Sequence, residues 1–115
     1  MIRNNVVNVV RGVVTSATSF DLSINTLPTD QLICYDKIVA VDFTNLFTSV
    51  QIGFRVGSDE VLVGGGTASS ANIPVVCEGN IYVPGQYRVF ARFLGASVGD
   101  KVALSVFGYS TDLRP

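Results

Sequence analysis

No histidine occurs anywhere in the 115 residues. That absence removes the commonest general base and the commonest metal ligand, and with them any Ser-His-Asp or Cys-His arrangement. Tryptophan is also missing, methionine occurs once, and only 15% of the residues are charged. Eight basic and nine acidic side chains leave a formal net charge of −1, which gives no general attraction to nucleic acid or to an anionic membrane. The two cysteines, Cys34 and Cys77, lie in the apolar contexts LICYDKIV and PVVCEG. Without histidine or a CxxC spacing they cannot supply four metal ligands, and buried free thiols are favoured over a disulfide. No stretch approaches the roughly 20 apolar residues of a membrane span. The opening MIRNNVVNVVRGVV lacks the apolar core of a signal peptide, because Asn4, Asn5, Asn8 and Arg11 interrupt it. The expectation is a protein made in a cytoplasm, without cofactor, metal or catalytic residue.

Valine is abundant instead, at nineteen residues, while Lys and Glu number two each. β-Branched side chains suit pleated strands, and alternation with period two recurs along most of the chain. Phe20, Leu22 and Ile24 alternate with polar residues; so do Val50, Ile52, Phe54 and Val56. Val39, Val41 and Phe43 form another row, as do Tyr87, Val89, Ala91 and Phe93, and Val102, Leu104 and Val106. Turn-forming residues separate the runs at 26–30, 44–45, 57–59, 64–66, 78–80, 84–85 and 95–100. The pattern predicts strands near 5–15, 18–25, 34–43, 48–56, 60–63, 73–77, 86–94 and 101–109, with a short piece at 80–83 as a possible ninth. About eight antiparallel strands and no helix make the fold class all-β, a β-sandwich of jelly-roll type. One domain is expected, with residues 1–15 as an apolar N-terminal arm or first strand and 16–115 as the sandwich. The strands at 86–94 and 101–109 are expected to pair as a hairpin across 95–100. Gly64-Gly65-Gly66 and the small residues after it are expected to form a flexible loop.

The nine carboxylates read as solvated acids and turn caps, since a domain this small offers little depth for a cleft. Asp59 and Glu60 are only a weak hint of a calcium site. More informative is the polar face of the last predicted hairpin. Arg88, Phe90 and Arg92 share one face, and Phe107 and Tyr109 lie on the following strand. If those faces adjoin, arginines and aromatics interleave on one surface, which suits a protein interface better than single-stranded nucleic acid at this net charge. Val6, Val7, Val9, Val10, Val13 and Val14 come in pairs, so a strand there carries valine on both faces. One sandwich covers only one of them, and a second copy or a partner is expected to cover the other. Removing residues 1–12 is expected to disturb assembly more than folding.

The stretch IYVPGQYRVFARFLGASVGDKVAL at 81–104 resembles the closing part of small β-sandwich structural proteins of tailed bacteriophages. It has an apolar strand, a Pro-Gly turn, a strand ending in Phe-x-Gly-Ala and a Gly-Asp turn into the last strand. NLFTSVQIG at 45–53 is similar to a second recurring segment. The resemblance covers roughly residues 38–109. It implies a virion role as a capsid decoration, or cement, protein or a head or tail accessory. It also implies a homotrimer on the capsid surface and contact with the major capsid protein of a phage. The shared positions are turns and core, so no functional residue carries over. A receptor- or carbohydrate-binding module of a virion fibre is the alternative, with Tyr82, Tyr87 and Tyr109 as sugar platforms, although the missing tryptophan counts against it.

Overall fold

The computed structural model describes residues 3–24, 31–44, 48–67 and 74–112. Eight strands run in chain order: β1 (Arg3–Val13), β2 (Phe20–Ser23), β3 (Gln31–Asp42), β4 (Ser49–Val56), β5 (Asp59–Thr67), β6 (Val75–Pro84), β7 (Arg88–Leu94) and β8 (Lys101–Asp112). They form two four-stranded antiparallel sheets, ordered β1-β8-β3-β6 and β2-β7-β4-β5. Each sheet interleaves strands from both ends of the chain, and the two pack face to face as a jelly-roll sandwich. The expected turn at 26–30, that at residue 45 and the end of the small-residue stretch at 68–71 lie outside the described residues.

Alternation decides which side chains meet between the sheets. Ile33, Tyr35, Ile38 and Ala40 of β3 and Val102, Leu104 and Val106 of β8 face Val50 and Ile52 of β4 and Val89, Ala91 and Phe93 of β7. Tyr35 is 2% exposed, and burial pushes its phenol up to about 12. The rows read from period two thus form the core, with one exception. In β3 the inward row is Ile38, Ala40 and Asp42, and Val39 and Val41 point away from it. Asp42 ends that row as a cap: the Thr48 hydroxyl donates to its Oδ2 and the Thr44 N–H to its Oδ1, both at 2.9 Å.

Three expectations fail, each for a structural reason. β7 and β8 do not pair with each other. Both edges of β7 are occupied by β2 and β4, and both edges of β8 by β1 and β3. The 95–100 connection instead crosses between sheets. Gly95 leaves β7 with φ +74°, Ala96 plugs the end of the core, and the Gly99 N–H and Val14 carbonyl meet at 2.9 Å. The pieces at 73–77 and 80–83 are one strand, β6, which continues past the irregular pairing opposite Tyr35 and Lys37. Gly64-Gly65-Gly66 is not a loop but part of the second half of β5, paired in that order with Ile52, Gln51 and Val50 of β4.

Those glycines serve close approach rather than flexibility. A Cβ on Gly65 would run into the Val50 carbonyl oxygen, and one on Gly64 would lie 2.9 Å from the Cys77 sulfur. Gly65→Ala is therefore expected to destabilise the domain by about 1–3 kcal/mol, measured by urea unfolding. A flexible loop would absorb the same change without loss.

Candidate interaction surface

A sandwich buries the inner faces of its sheets, so functional chemistry has to be sought on the two outer faces. On the β1-β8-β3-β6 sheet the register sets the outer side chains in rows. One row runs Val9–Ser105–Val39–Val76, the next Val7–Phe107–Lys37–Glu78, and a third Arg11–Ala103–Val41. The surface is largely apolar: Val7 is 67% exposed, Val9 48%, Val76 42% and Phe107 37%. Its charges are few. Lys37 and Glu78 form a loose ion pair at 3.9 Å, well exposed and of little energetic weight. Arg11 and Lys101 stand at the rim of an apolar cleft of about 440 Å³ that Val13 and Phe43 also line. Farther along, Cys34 is buried on this outer side, opposite Tyr109 on one neighbour strand and Tyr82 on the other. Cys34 and Cys77 are both free thiols, and burial pushes the Cys77 thiol up.

The outer face of the β2-β7-β4-β5 sheet is built on the opposite plan. Phe90 points outward from β7 yet is 0% exposed. The guanidinium groups of Arg55 and Arg92 lie over its ring, 4.9 and 5.1 Å from the centroid. Asp21 holds both arginines in place, accepting from Arg55 at 2.7 Å and from Arg92 at 3.0 Å. Arg92 also donates to Glu60 at 2.7 Å, and Arg55 to the Ser23 hydroxyl at 3.0 Å. Burial raises the affinity of Asp21 for its proton, but the two arginines outweigh that and hold the carboxyl below its ordinary value. Hydrogen bonds to Asp21 and Glu60 hold the Arg92 guanidinium above its own. This lid uses up the charges it contains and hides its aromatic.

The sequence-predicted site residues therefore divide. Val7 and Val9 lie on the exposed apolar face, as does Phe107, with half-buried Tyr109 beyond it. Val6 and Val10 turn inward and pack against the core. Arg88, Phe90 and Arg92 belong to the other sheet, so they do not adjoin Phe107 and Tyr109; the expected strip of interleaved arginines and aromatics is absent because β7 and β8 lie in different layers. Tyr82 and Tyr109 share an outer face, whereas Tyr87 stacks edge-on with Phe54 at 5.4 Å against the core. Of the acids, Asp21 and Glu60 are bound up in the arginine lid and Asp42 in its cap, and Asp100 Oδ2 accepts from the Ser97 N–H. Among the described residues no three of His, Cys, Asp and Glu are grouped to hold a metal ion, and no helix is long and apolar enough to cross a membrane.

Sequence reasoning missed Val39, Val41 and Val76 as members of the apolar face. Their signal was present, since strands with apolar residues on both parities cannot hide both sides. It also missed the lid, whose members are up to 71 positions apart and leave no local spacing.

No protein-family model and no curated protein matches the chain. Among solved structures it is similar to infectious bursal disease virus, Gt strain, at 12% identity and a TM-score of 0.34, over 93% of this chain and 30% of that one. The Gx strain of the same virus gives 12% identity and a TM-score of 0.36, over 93% of this chain and 31% of that one. This chain thus spans less than a third of the length of either. Likeness at that level carries no weight for function, which has to rest on the surfaces described.

The lid yields a pH signature. A carboxyl held below its unfolded value of about 3.9 stabilises the fold above that pH, and the contribution is lost as pH falls through the folded value. Asp21→Asn is expected to cost about 1 kcal/mol at pH 7, allowing for partial exposure. In urea titrations across pH the gap between the variant and the parent should close below about pH 4.

Proposed function

We propose that the protein is a non-enzymatic structural component of a viral shell, working through the outer face of its β1-β8-β3-β6 sheet. A single observation carries this reading: valines and a phenylalanine at 37–67% exposure stand together on one face of a small domain. A monomer gains nothing from such a surface, and contiguous exposed apolar area marks a docking face. The jelly roll suits the role, being a fold found in viral shells, though it serves lectins too. The absence of histidine fits an inert component.

In finer terms the role is that of a decoration, or cement, protein of a tailed phage. It sits on the capsid surface as a homotrimer and grips the major capsid protein. The sequence resemblance over residues 38–109 supports this assignment. The paired faces are the chain's own outer sheet against a neighbouring copy or a coat subunit. Of the residues singled out from sequence, Val7, Val9 and Phe107 are the contact residues, while Arg92 and Phe90 contribute a rigid back wall and Arg88 an exposed charge at its end.

Deleting residues 1–12 is a poor test, because β1 is paired with β8 from Arg3 to Val13 and sends Val6 and Val10 into the core. Point changes on the face separate assembly from folding. Val76→Glu, on the strand farthest from β1, is expected to weaken self-association and binding to empty phage heads by more than tenfold. That corresponds to the roughly 1.4 kcal/mol lost with one good apolar contact. Its thermal midpoint should stay within a degree or two of the parent. Binding to heads that survives the substitution, or a parent protein with no affinity for heads, overturns the proposal.

A further inference from the structure

The edge of the first sheet carries information that its face does not. Strand β1 is terminal in the order β1-β8-β3-β6, so along its free side alternate N–H and C=O groups have no strand partner among the described residues. The other three edges are protected. β2 is four residues long, β6 has a register irregularity and ends at Pro84, and β5 is one-third glycine and bulged. β1 has none of these devices: it runs eleven residues with unbroken register against β8 and contains no proline.

Its sequence is also nearly palindromic. Around Asn8 the order is Val6-Val7-Asn8-Val9-Val10, with Asn5 and Arg11 flanking. An antiparallel partner of the same sequence centred on Asn8 sets Val7 opposite Val9 on the outer face and Val6 opposite Val10 on the inner face. It sets Asn5 opposite Arg11, an amide oxygen beside a guanidinium. Asn8 meets its own copy, and a primary amide is donor and acceptor at once. The neighbouring registers are less well matched. A slip of one residue sets the inner face of one copy beside the outer face of the other. A slip of the axis to Val9 brings Val7 against Arg11, and a parallel pairing stacks Arg11 on Arg11. The strand has no acidic residue to relieve that repulsion.

We propose that β1 pairs antiparallel with β1 of a second copy about a two-fold axis at Asn8, joining two first sheets into one of eight strands. The contact is isologous, as a two-fold requires, and buries the exposed edge while leaving the outer face continuous across the axis. Asn8 explains itself in this arrangement. It lies between two inward valines yet is exposed, a polar residue at the one position where the two copies meet like with like. The inference deepens the reading of the protein as a self-associating shell component: where face contacts build one kind of symmetry, this edge supplies the two-fold that links them.

Two substitutions at one exposed position test it on the isolated full chain. Directly opposed residues in an antiparallel pair have Cα atoms about 4.5–5.5 Å apart, within the span a disulfide bridges. Asn8→Cys is therefore expected to give a covalent dimer on mild oxidation, and Val13→Cys, far from its own copy, is not; the native thiols are common to both and to the parent. Asn8→Asp places two carboxylates face to face, and by sedimentation it should halve the mass at pH 7 and restore it near pH 4, while the parent's mass is unchanged between the two. Circular dichroism checks that both variants keep the sandwich. No cross-link above the parent level, or an Asn8→Asp mass equal to the parent at pH 7, overturns the edge pairing. The shell reading is tested separately on β6: a protein that cross-links at Asn8 but ignores phage heads keeps the two-fold and loses the shell.

Discussion

Two sheets pressed together have four faces, and a sandwich of this size can bury only the inner two. The inner pair is well served, with Phe93, Leu104, Ile38 and Ile52 at 0% exposure. Every distinctive feature of the molecule lies in how the outer pair is treated. One outer face is largely finished by the protein itself, with Asp21, Arg55, Arg92 and Glu60 tied into a lattice that roofs over Phe90 and leaves Leu62 of β5 exposed beside it. The other is left as valine and phenylalanine with almost no charge. Burying apolar area is worth about 25 cal/mol per Å², so an unfinished face is a standing source of association energy.

The contrast bears on what each sheet can do. A face whose charges are mutually satisfied offers little to a partner, because docking there would have to desolvate ion pairs without replacing them. An apolar face has no such debt. Functional asymmetry therefore follows from the side chains on two topologically equivalent layers, and the jelly-roll order only decides which strands share a layer.

Much of this was legible beforehand. Period two located six of the eight strands closely, cutting β5 short and splitting β6, and valine on both parities of β1 announced a sheet with two apolar sides. What stayed illegible depends on partners distant in sequence. A six-residue connection after Leu94 can close a hairpin or step between layers, and nothing local to it distinguishes the two. The choice is made by β2 and β4, which occupy both edges of β7. Gly64-Gly65-Gly66 reads as a loop because glycine marks both flexible turns and tight backbone approaches; only the Val50 carbonyl lying against Gly65 tells them apart. Phe90 was correctly placed on an outward face, but its roof is assembled from Asp21, Arg55 and Arg92, and no spacing in the chain announces that meeting.

Strand β8, the last of the described strands, sits between β1 and β3, and its register ties Arg3 to Thr111. The middle of that layer is thus supplied last when the chain is made from its N-terminus. Until then β1 and β3 have no common neighbour, and the valines of both remain in water on the growing polypeptide. Pairings this remote slow folding and lengthen the exposure of sticky intermediates. A chain so arranged cannot close its first sheet until β8 has emerged, and β1, the strand that waits longest for a partner, is the one that ends at the rim of that layer.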